Sequence, residues 1–517
     1  MTESAFDQDR RTAMPSEAGQ AEVIAFLRQP ESYGTPTPRH VEQVSTHISH
    51  VFLAGPRAFK LKRAVKLPYV DFSSLARRKA VCEREVALNR RTAPNLYKGV
   101  IPVTRTASGG LRLGGQGKIV EWLVEMMAFD RTQSLDRLAN QGPLPSTVPR
   151  DLGDAVAAFH DAAEISNRFG GAAAMAEIIA GNARAFSACP GNTFPPRTIE
   201  ALIEESRAAL ARVAELLDRR RHGGEVRRCH GDLHLGNICL IEGRPALFDC
   251  LEFDDALSTI DVLYDLAFLL MDLLHVDLTA DANLVFNRYL DRRSEAGGLR
   301  ALPLFMSIRA AIRAHITARK GDDGGKEARR YLELAHDLLK PKPSRLIAIG
   351  GLSGSGKSTI AYGLAPDIGL APGARVIRSD VIRKQMLGVA PETRLGQPAY
   401  SADMTARVYR TVIAEASAVL AAGYPVIIDA VSLRPAERED IAALAGKAGI
   451  PFTGLWLEAP AAVLERRVAE RDNDASDADR AVLRRQVTID PGDIGWTHID
   501  VSGSRREALE KARAAIV

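Results

Sequence analysis

The sequence predicts a multidomain protein of mixed α/β and α+β class, in which a strand-rich lobe and a helix-rich lobe precede a parallel α/β sheet domain. A chain of 517 residues is longer than a single domain with one hydrophobic core normally is. Strand-like segments dominate residues 41–126, and helical patterns dominate residues 150–340. Beyond Pro343, short apolar runs alternate with helical segments, which is typical of a parallel sheet.

The strand-rich lobe is predicted from three sequence patterns. HISHVFLAG and AFKLKRAVKL predict a hairpin that turns at Gly55 and Pro56. Residues 76–90 have the apolar spacing of a helix, and GLRLGGQGKIVEWLV predicts a second hairpin. Helices then dominate from DLGDAVAAFHDAAEIS onward.

Two prolines mark the sharpest boundary in the chain. Pro341 and Pro343 prevent the preceding helix from continuing, and the apolar run from Leu346 to Ile349 begins a new buried strand. We therefore expect two halves that fold separately around an exposed connector. The predicted bounds are 1–20 for a disordered N-terminus, 21–126 for the small lobe, 127–340 for the helical lobe, 341–343 for the linker and 344–517 for the sheet domain.

Composition excludes several classes of protein. Apolar residues make up 46% and charged residues 26%, and the formal net charge is +4, too small to indicate nucleic-acid binding by itself. The five cysteines form no C-x-x-C pair, which favours a reducing compartment over a disulfide framework. The first residues lack the apolar core of a secretion signal, and no apolar stretch is long enough to cross a bilayer. We expect a cytoplasmic protein.

A glycine-rich motif opens the sheet domain. GLSGSGKST matches the spacing G-x-x-x-x-G-K-[ST] between an apolar strand and a helix, so that its N–H groups can converge on phosphate oxygens. Lys357 is expected to reach the β- and γ-phosphates, and Ser358 is expected to ligate Mg²⁺. The residues predicted to bind a nucleoside triphosphate are Gly351, Ser353, Gly354, Ser355, Gly356, Lys357, Ser358 and Thr359.

Further candidates surround this motif. Asp429 ends the strand PVIID, where it can hold Mg²⁺ through water or cap a helix. Asp380 follows the next predicted strand, as a general base for an acceptor hydroxyl or as a helix N-cap. Arg467 and Arg471 are candidates for a lid that stabilises transition-state charge, although a solvated charged face explains them equally well.

With these residues, positions 344–517 resemble the small P-loop kinases, such as gluconate kinase, zeta-toxin and polynucleotide 5′-kinase. The resemblance implies ATP-dependent phosphorylation of an alcohol by this domain.

A second motif lies upstream, in HGDLHLGN. In kinase chemistry an aspartate, here Asp232, accepts the proton of the attacking hydroxyl. An asparagine five residues later, Asn237, and a further aspartate, Asp249, then hold Mg²⁺. Over about residues 40–340 the chain resembles the aminoglycoside phosphotransferase-like kinases, a group that includes choline and sugar kinases. This resemblance implies a bilobal kinase-like fold.

The same resemblance implies nucleotide-binding residues in the small lobe. A strand lysine should contact the α- and β-phosphates and pair with a helical glutamate. FKLKR offers Lys60 and Lys62 on one strand face, of which we favour Lys60. The following helix offers Glu85 and Glu83, of which we favour Glu85. VEWLVEMM predicts a hinge near Met126 whose backbone contacts adenine. There is no G-x-G-x-x-G in this lobe, only LAGPR at the first hairpin.

These observations predict a bifunctional enzyme that uses Mg-ATP at two separate sites to phosphorylate hydroxyl groups of small molecules, a sugar or a related metabolite. Two alternatives remain. One half could be a regulatory ATP-binding pseudo-kinase, or the P-loop half could phosphorylate polynucleotide 5′ ends. Few aromatic residues and balanced charge over 344–517 disfavour a nucleic-acid partner, and we expect no membrane partner.

Overall fold

The structure, a computed structural model, describes residues 18–67, 70–189, 193–319, 324–470, 476–477 and 480–516. The chain divides into two compact units. The first comprises the residues up to Gln141 together with Phe159–Phe169 and Val226–Asp265; the second comprises Gly142–Ala158, Gly170–Glu225 and the chain from Leu266 onward.

The described residues form helices and strands throughout both units. The helices are α1 (Ala21–Leu27), α2 (Leu75–Asn89), α3 (Leu135–Ala139), α4 (Val148–Ala162), α5 (Gly171–Ser187), α6 (Pro196–His222), α7 (Asp255–Ser258), α8 (Val262–His275), α9 (Thr279–Arg292), α10 (Leu302–Ala318), α11 (Gly324–Leu339), α12 (Lys357–Leu364), α13 (Ser379–Met386), α14 (Ala402–Ala421), α15 (Pro435–Ala448), α16 (Ala461–Ala469), α17 (Arg480–Val487) and α18 (Arg505–Ala514). The strands are β1 (Val41–Ser45), β2 (Ser49–Ala54), β3 (Arg57–Lys62), β4 (Lys66–Leu67), β5 (Val70–Asp71), β6 (Tyr97–Arg105), β7 (Leu111–Leu113), β8 (Lys118–Met127), β9 (Val226–Arg228), β10 (Ile238–Ile241), β11 (Arg244–Leu247), β12 (Thr259–Asp261), β13 (Leu346–Gly351), β14 (Arg375–Arg378), β15 (Val426–Asp429), β16 (Phe452–Glu458) and β17 (Thr497–Asp500).

The first unit contains a six-stranded antiparallel sheet in the order β1-β2-β3-β8-β6-β7. β2 and β3 form the predicted hairpin around Gly55 and Pro56. The second predicted hairpin is wrong, because β7 and β8 each pair with β6 rather than with each other. Sequence reasoning missed β6 since Gly99 and Pro102 interrupt its alternation.

Helices cover both faces of this sheet. On one face, α1 packs Val23 and Leu27 against the sheet. On the other face, α2 begins after Ser74, whose hydroxyl accepts a hydrogen bond from the Arg77 N–H. Its Cys82 belongs to the core that includes Ala58 of β3. Because alternate residues of a strand share a face, Lys60 and Lys62 also point toward α2.

The N-terminal prediction falls mainly on undescribed residues. Positions 1–17 lie outside the part that the structure describes, whereas Ala18–Gln20 form a short 3₁₀ helix. The Gln20 side chain is buried there and donates a hydrogen bond to the Lys62 carbonyl at 2.9 Å. Predicted disorder therefore does not extend to position 20.

The second unit contains a five-stranded parallel sheet in the order β14-β15-β13-β16-β17. Four of these strands were predicted, and β17 was not. β13 is central and buried along its length, so the loop that follows it emerges at the carboxyl edge of the sheet. Parallel strands usually present ligand sites at this edge. The predicted fold class, mixed α/β and α+β with a kinase-like region before a parallel sheet, is confirmed.

Among the described residues, no helix combines the length and the apolar character that crossing a bilayer requires.

Candidate active sites

The loop between β9 and β10 presents Asp232 in a fixed orientation. The Asn237 side-chain amide donates hydrogen bonds to the Asp232 carbonyl oxygen at 3.0 Å and to its carboxylate Oδ2 at 2.9 Å. The His234 Nε2 lies 3.4 Å from the same Oδ2, and the Asp232 side chain remains 40% exposed. An oriented, solvent-accessible carboxylate is suited to accept a proton from a bound hydroxyl group.

Asp265 is buried behind this loop and hydrogen-bonds to its backbone. Its two carboxylate oxygens accept hydrogen bonds from the backbone N–H groups of His230 at 3.1 Å and Gly231 at 2.9 Å. The His160 Nε2 lies 3.1 Å from Asp265 Oδ2, and all of these side chains are buried. The side chains of His160, Cys229 and Asp265 lie close enough together to hold a metal ion. Both carboxylate oxygens of Asp265, however, already accept hydrogen bonds from backbone N–H groups. The cluster is therefore an interior support for the loop.

Asp249 follows β11 and meets Lys60. Its φ of 63° is unusual for a residue with a side chain. Its N–H donates a hydrogen bond to the Tyr97 hydroxyl at 3.1 Å. The Lys60 Nζ lies 2.6 Å from Asp249 Oδ1 and 2.8 Å from Glu85 Oε1. Burial lowers the pKa of Lys60, but these two carboxylates raise it well above its ordinary value, so the ammonium stays charged.

Lys62 occupies a second position in the same network. Its Nζ lies 2.5 Å from Glu85 Oε2 and 2.5 Å from Glu252 Oε1, with all three side chains buried. Glu85 therefore bridges the two lysines, whereas Glu83 pairs with the partly exposed Lys79 at 3.3 Å. Sequence reasoning did not predict this position for Glu252, because Glu252, Asp254 and Asp255 form an acidic cluster, and such clusters usually face solvent.

Met126 lies inside β8, one residue before its end. It is buried and pairs in register with Ala58. The N–H groups of the next two residues are already bound: Met127 donates to the Leu96 carbonyl at 2.8 Å, and Ala128 donates to the Pro56 carbonyl at 2.9 Å. A backbone contact to adenine at this hinge, which stays a prediction, would therefore use carbonyl groups or residues beyond Ala128.

The glycine-rich loop of the second unit turns directly into α12. At Gly354, φ is 85° and an added Cβ would lie 2.7 Å from the Leu464 carbonyl oxygen, so no side chain fits there. The Lys357 ammonium donates hydrogen bonds to the carbonyls of Gly351 at 2.9 Å and Leu352 at 3.0 Å. The loop is thus folded around its own lysine.

Ser358 and Asp429 come together at the carboxyl edge of the sheet. The Ser358 hydroxyl donates to Asp429 Oδ2 at 2.5 Å, and Asp429 is the last residue of β15. A hydroxyl and a carboxylate oxygen at this separation are hard oxygen donors of the kind that Mg²⁺ prefers. The residues present fit a magnesium ion.

Asp380 is the second residue of α13 rather than its N-cap, which is Arg378. Its side chain lines a cleft of 1380 Å³ that is also lined by Lys357, Ser358 and Asp429. Burial raises the pKa of Asp380, the nearby Arg378 lowers it, and Asp429 raises it, for a net increase. The structure therefore brings together the predicted phosphate-binding, magnesium and base residues in one cleft.

The two predicted lid arginines differ in outcome. Arg467 lines the cleft from α16, and its guanidinium donates hydrogen bonds to the carbonyls of Val501 at 2.8 Å and Gly503 at 3.4 Å. Arg471 lies outside the described residues.

Sequence reasoning missed Arg383, which lines the cleft one turn after Asp380 and stacks over the Tyr400 ring at 4.6 Å. Its i+3 spacing from Asp380 on a helix was the available signal.

Comparison with known protein families finds two matches, one over each of two separate stretches of the chain. Residues 69–302 match the phosphotransferase enzyme family, and residues 346–488 match an AAA domain family. The predicted resemblance to a phosphotransferase-family kinase fused to a P-loop domain is confirmed. The two matches indicate a phosphotransferase enzyme that uses a nucleotide.

Individual proteins show similarity over one or both regions. An uncharacterized protein of Mycobacterium tuberculosis strain H37Rv is 29% identical over 493 residues, which cover 90% of this chain and 93% of that protein. A choline/ethanolamine kinase family protein from Mesorhizobium loti is 15% identical with a TM-score of 0.38, covering 62% of this chain and 95% of that one. A sugar kinase from Janibacter sp. is 22% identical with a TM-score of 0.26, covering 34% of this chain and 95% of that one.

The Lys62 network generates a stability prediction. Replacing Lys62 by Met should leave the Glu252 carboxylate buried without its cation, and losing one partner of a buried pair costs about 3–5 kcal/mol. Urea unfolding followed by fluorescence should show this loss. The matched control is Lys66→Met, because the Lys66 side chain is 76% exposed and lies 3.9 Å from Asp71. Equal midpoints for the two variants would show that the Lys62 network contributes no stability.

Proposed function

We propose that the chain is a bifunctional, ATP-dependent phosphotransferase with one catalytic site in each unit. Each site would transfer the γ-phosphoryl group of ATP to a hydroxyl of a small molecule, a sugar or a related metabolite. The observation that carries the proposal is the joining of Lys60, Glu85 and Asp249 by ion pairs of 2.6–2.8 Å in the unit that also orients Asp232. A complete set of this kind argues against a pseudo-kinase.

In the first unit, Lys60 would neutralise the α- and β-phosphates while Glu85 holds the ammonium in place. Asp232 would accept the proton of the acceptor hydroxyl as its oxygen bonds to the γ-phosphorus. The bond between that phosphorus and the β-phosphate oxygen breaks, and ADP leaves. Asn237 and Asp249 would hold Mg²⁺, which neutralises phosphate charge when bound.

In the second unit, the backbone of Gly354 to Ser358 would cradle the phosphates, and Lys357 would exchange its loop carbonyls for phosphate oxygens. Asp380 would orient the acceptor hydroxyl and take its proton. Ser358 and Asp429 are the residues that would hold Mg²⁺ here. Arg467 would add positive charge near the transferred group.

The cysteine content and the charge balance of the sequence also support a cytoplasmic location and a small-molecule acceptor. Five free cysteines, of which four are buried and one is partly exposed, suit a reducing cytoplasm. Balanced charge over the P-loop domain favours a metabolite over a polynucleotide as the acceptor.

The direct test incubates radiolabelled ATP and magnesium with a small-molecule extract, using variants that each disable one site. Asp232→Asn should remove one set of labelled products, and Lys357→Ala should remove another. Products that neither variant removes would arise from contamination, and the absence of labelled products with the unmodified protein would contradict the proposal.

Asp232→Asn should lower transfer by the first unit by at least about 100-fold, because general-base catalysis typically contributes that much. Nucleotide affinity should persist, since Lys60, Asn237 and Asp249 remain. The measurement compares transfer rate with ATP-analogue binding in a Lys357→Ala background, which silences the other site. Unimpaired transfer would exclude Asp232 as the base.

Asp380→Asn should abolish transfer by the second unit while Lys357→Ala abolishes ATP binding there. Asparagine caps helices about as well as aspartate, but Asp380 is not the N-cap of α13. The capping ability of asparagine should therefore not preserve transfer in this variant. Equilibrium binding of an ATP analogue to each variant, in a Lys60→Ala background that removes the nucleotide of the first unit, separates the two effects. Full transfer by Asp380→Asn would leave this site without an identified base.

The pKa of Asp380 predicts the pH dependence of the second site. A base must be deprotonated to accept a proton, and the net environment raises the pKa of Asp380 above the ordinary aspartate value of about 3.9. Measured transfer should therefore rise with pH, with an apparent pKa above that ordinary value. A rate that stays constant as the pH falls to that value would contradict the role of Asp380.

A further inference from the structure

β14 is the edge strand of the parallel sheet, and it leads directly into the helix that bears Asp380. One side of β14 pairs with β15. An uncovered edge would leave backbone N–H and C=O groups without partners and open to association with another chain. The backbone groups on the outer side of β14 therefore need hydrogen-bond partners from another element.

Two asparagines of α9 supply those partners. The Val376 N–H donates to Asn287 Oδ1 at 2.7 Å, and the Ala374 carbonyl accepts from the side-chain amides of both Asn283 and Asn287 at 3.1 Å. Asn283 and Asn287 lie one turn apart on α9 and are fully buried. Side-chain amides of a helix thus take the place of a missing neighbouring strand.

A buried charge network reinforces this contact. Arg375, the first residue of β14, is 1% exposed at its side chain. Its guanidinium lies 2.6 Å from the carboxylate of Asp291 on α9 and 2.8 Å from that of Glu415 on α14. The Asp291 carbonyl also accepts from the side-chain amide of Gln385, on the helix of Asp380, at 2.5 Å. Separating α9 from the sheet would leave buried charges and polar groups unpaired, which is strongly unfavourable.

The same helix reaches the cleft itself. Asp281 and Leu284, in the first turns of α9, line the cleft that holds the glycine-rich loop and Asp380. Asp281 accepts a hydrogen bond from the Leu144 N–H at 3.2 Å, and Leu144 and Arg150 line that cleft as well. One wall of the site therefore comes from residues that precede the connector at 341–343.

We propose that the P-loop site is composite, and that α9 is a positioning element that holds β14 and thereby Asp380 in place. Asn287 is a positioning residue that acts through Val376 and not through any bound molecule. The sheet domain is then not a self-sufficient unit, because a cut at the connector would leave α9 on the other fragment. This replaces the expectation of two separable halves. Only the role of Asp380 in this inference rests on the proposed function.

Hydrogen–deuterium exchange of the full-length protein tests the positioning directly. Asn287→Ala should accelerate amide exchange in a peptide spanning residues 375–386 by about tenfold, which corresponds to about 1.4 kcal/mol. The matched control is Asn182→Ala: Asn182 is also a buried helical asparagine, but its side chain bonds His315 at 3.2 Å within the helical region. The control should leave exchange over 375–386 at the level of the unmodified protein.

A second variant separates positioning from general instability. Asn283→Ala removes the donor to the carbonyls of Pro372 and Ala374 but keeps the bond from Val376 to Asn287, so it should accelerate exchange less than Asn287→Ala does. Equal exchange over 375–386 in Asn287→Ala and Asn182→Ala would overturn the proposal, as would equal exchange in Asn287→Ala and Asn283→Ala. If Asn287→Ala cannot be purified folded, faster exchange over 375–386 in Asn283→Ala than in Asn182→Ala supports the proposal, and equal exchange overturns it.

Transfer of labelled phosphate provides the link to activity. In an Asp232→Asn background, Asn287→Ala should lower kcat more than it raises the KM for ATP, and Asn283→Ala should lower kcat less, in step with its smaller loss of amide protection. If amide exchange responds as expected but the protein shows no phosphate transfer, the proposed function is refuted and the structural inference stands. Normal kcat in Asn287→Ala despite tenfold faster exchange would refute the positioning role.

Discussion

Burying a charged side chain is strongly unfavourable unless close partners compensate its charge, and this constraint determines how both regions of the protein are assembled. In the first unit, Lys60 is enclosed between Glu85 on α2 and Asp249 after β11, so one ammonium ties a strand, a helix and a loop together. In the second unit, Arg375 does the same for β14, α9 and α14. In each case the buried cation lies next to the segment that presents a candidate base or phosphate-binding group.

These networks also explain the electrostatic character of the sites. The carboxylates around Lys60 keep it protonated, as contact with phosphates requires. Asp380 lies in the opposite situation, since burial and the neighbouring Asp429 raise its pKa despite Arg378. A group with a raised pKa in a cleft is typical of functional positions. Charge thus acts differently in the two units: carboxylates keep the Lys60 cation charged in the first, whereas burial and a carboxylate raise the pKa of the candidate base Asp380 in the second.

Much of this architecture was predictable from the sequence, because it depends on local patterns. The glycine-rich loop and HGDLHLGN have spacings that follow from the chemistry of phosphate transfer, and the parallel strands are short apolar runs between helical segments. Lys60 and Lys62 were both visible on one strand face, yet only three-dimensional packing shows that Glu85 bridges them and that Glu252 completes the set. β6 was hidden because Gly99 and Pro102 interrupt its pattern. The asparagines of α9 were hidden because nothing local indicates which distant backbone a side-chain amide will meet.

The central claim is that one chain contains two nucleotide sites, and the stoichiometry of binding tests it most directly. Isothermal titration of the full-length protein with a non-hydrolysable ATP analogue and magnesium should give two nucleotides per chain. Lys60→Ala and Lys357→Ala should each retain one, and the double variant should retain none. A single nucleotide bound to the unmodified chain, lost completely in either single variant, would contradict the account.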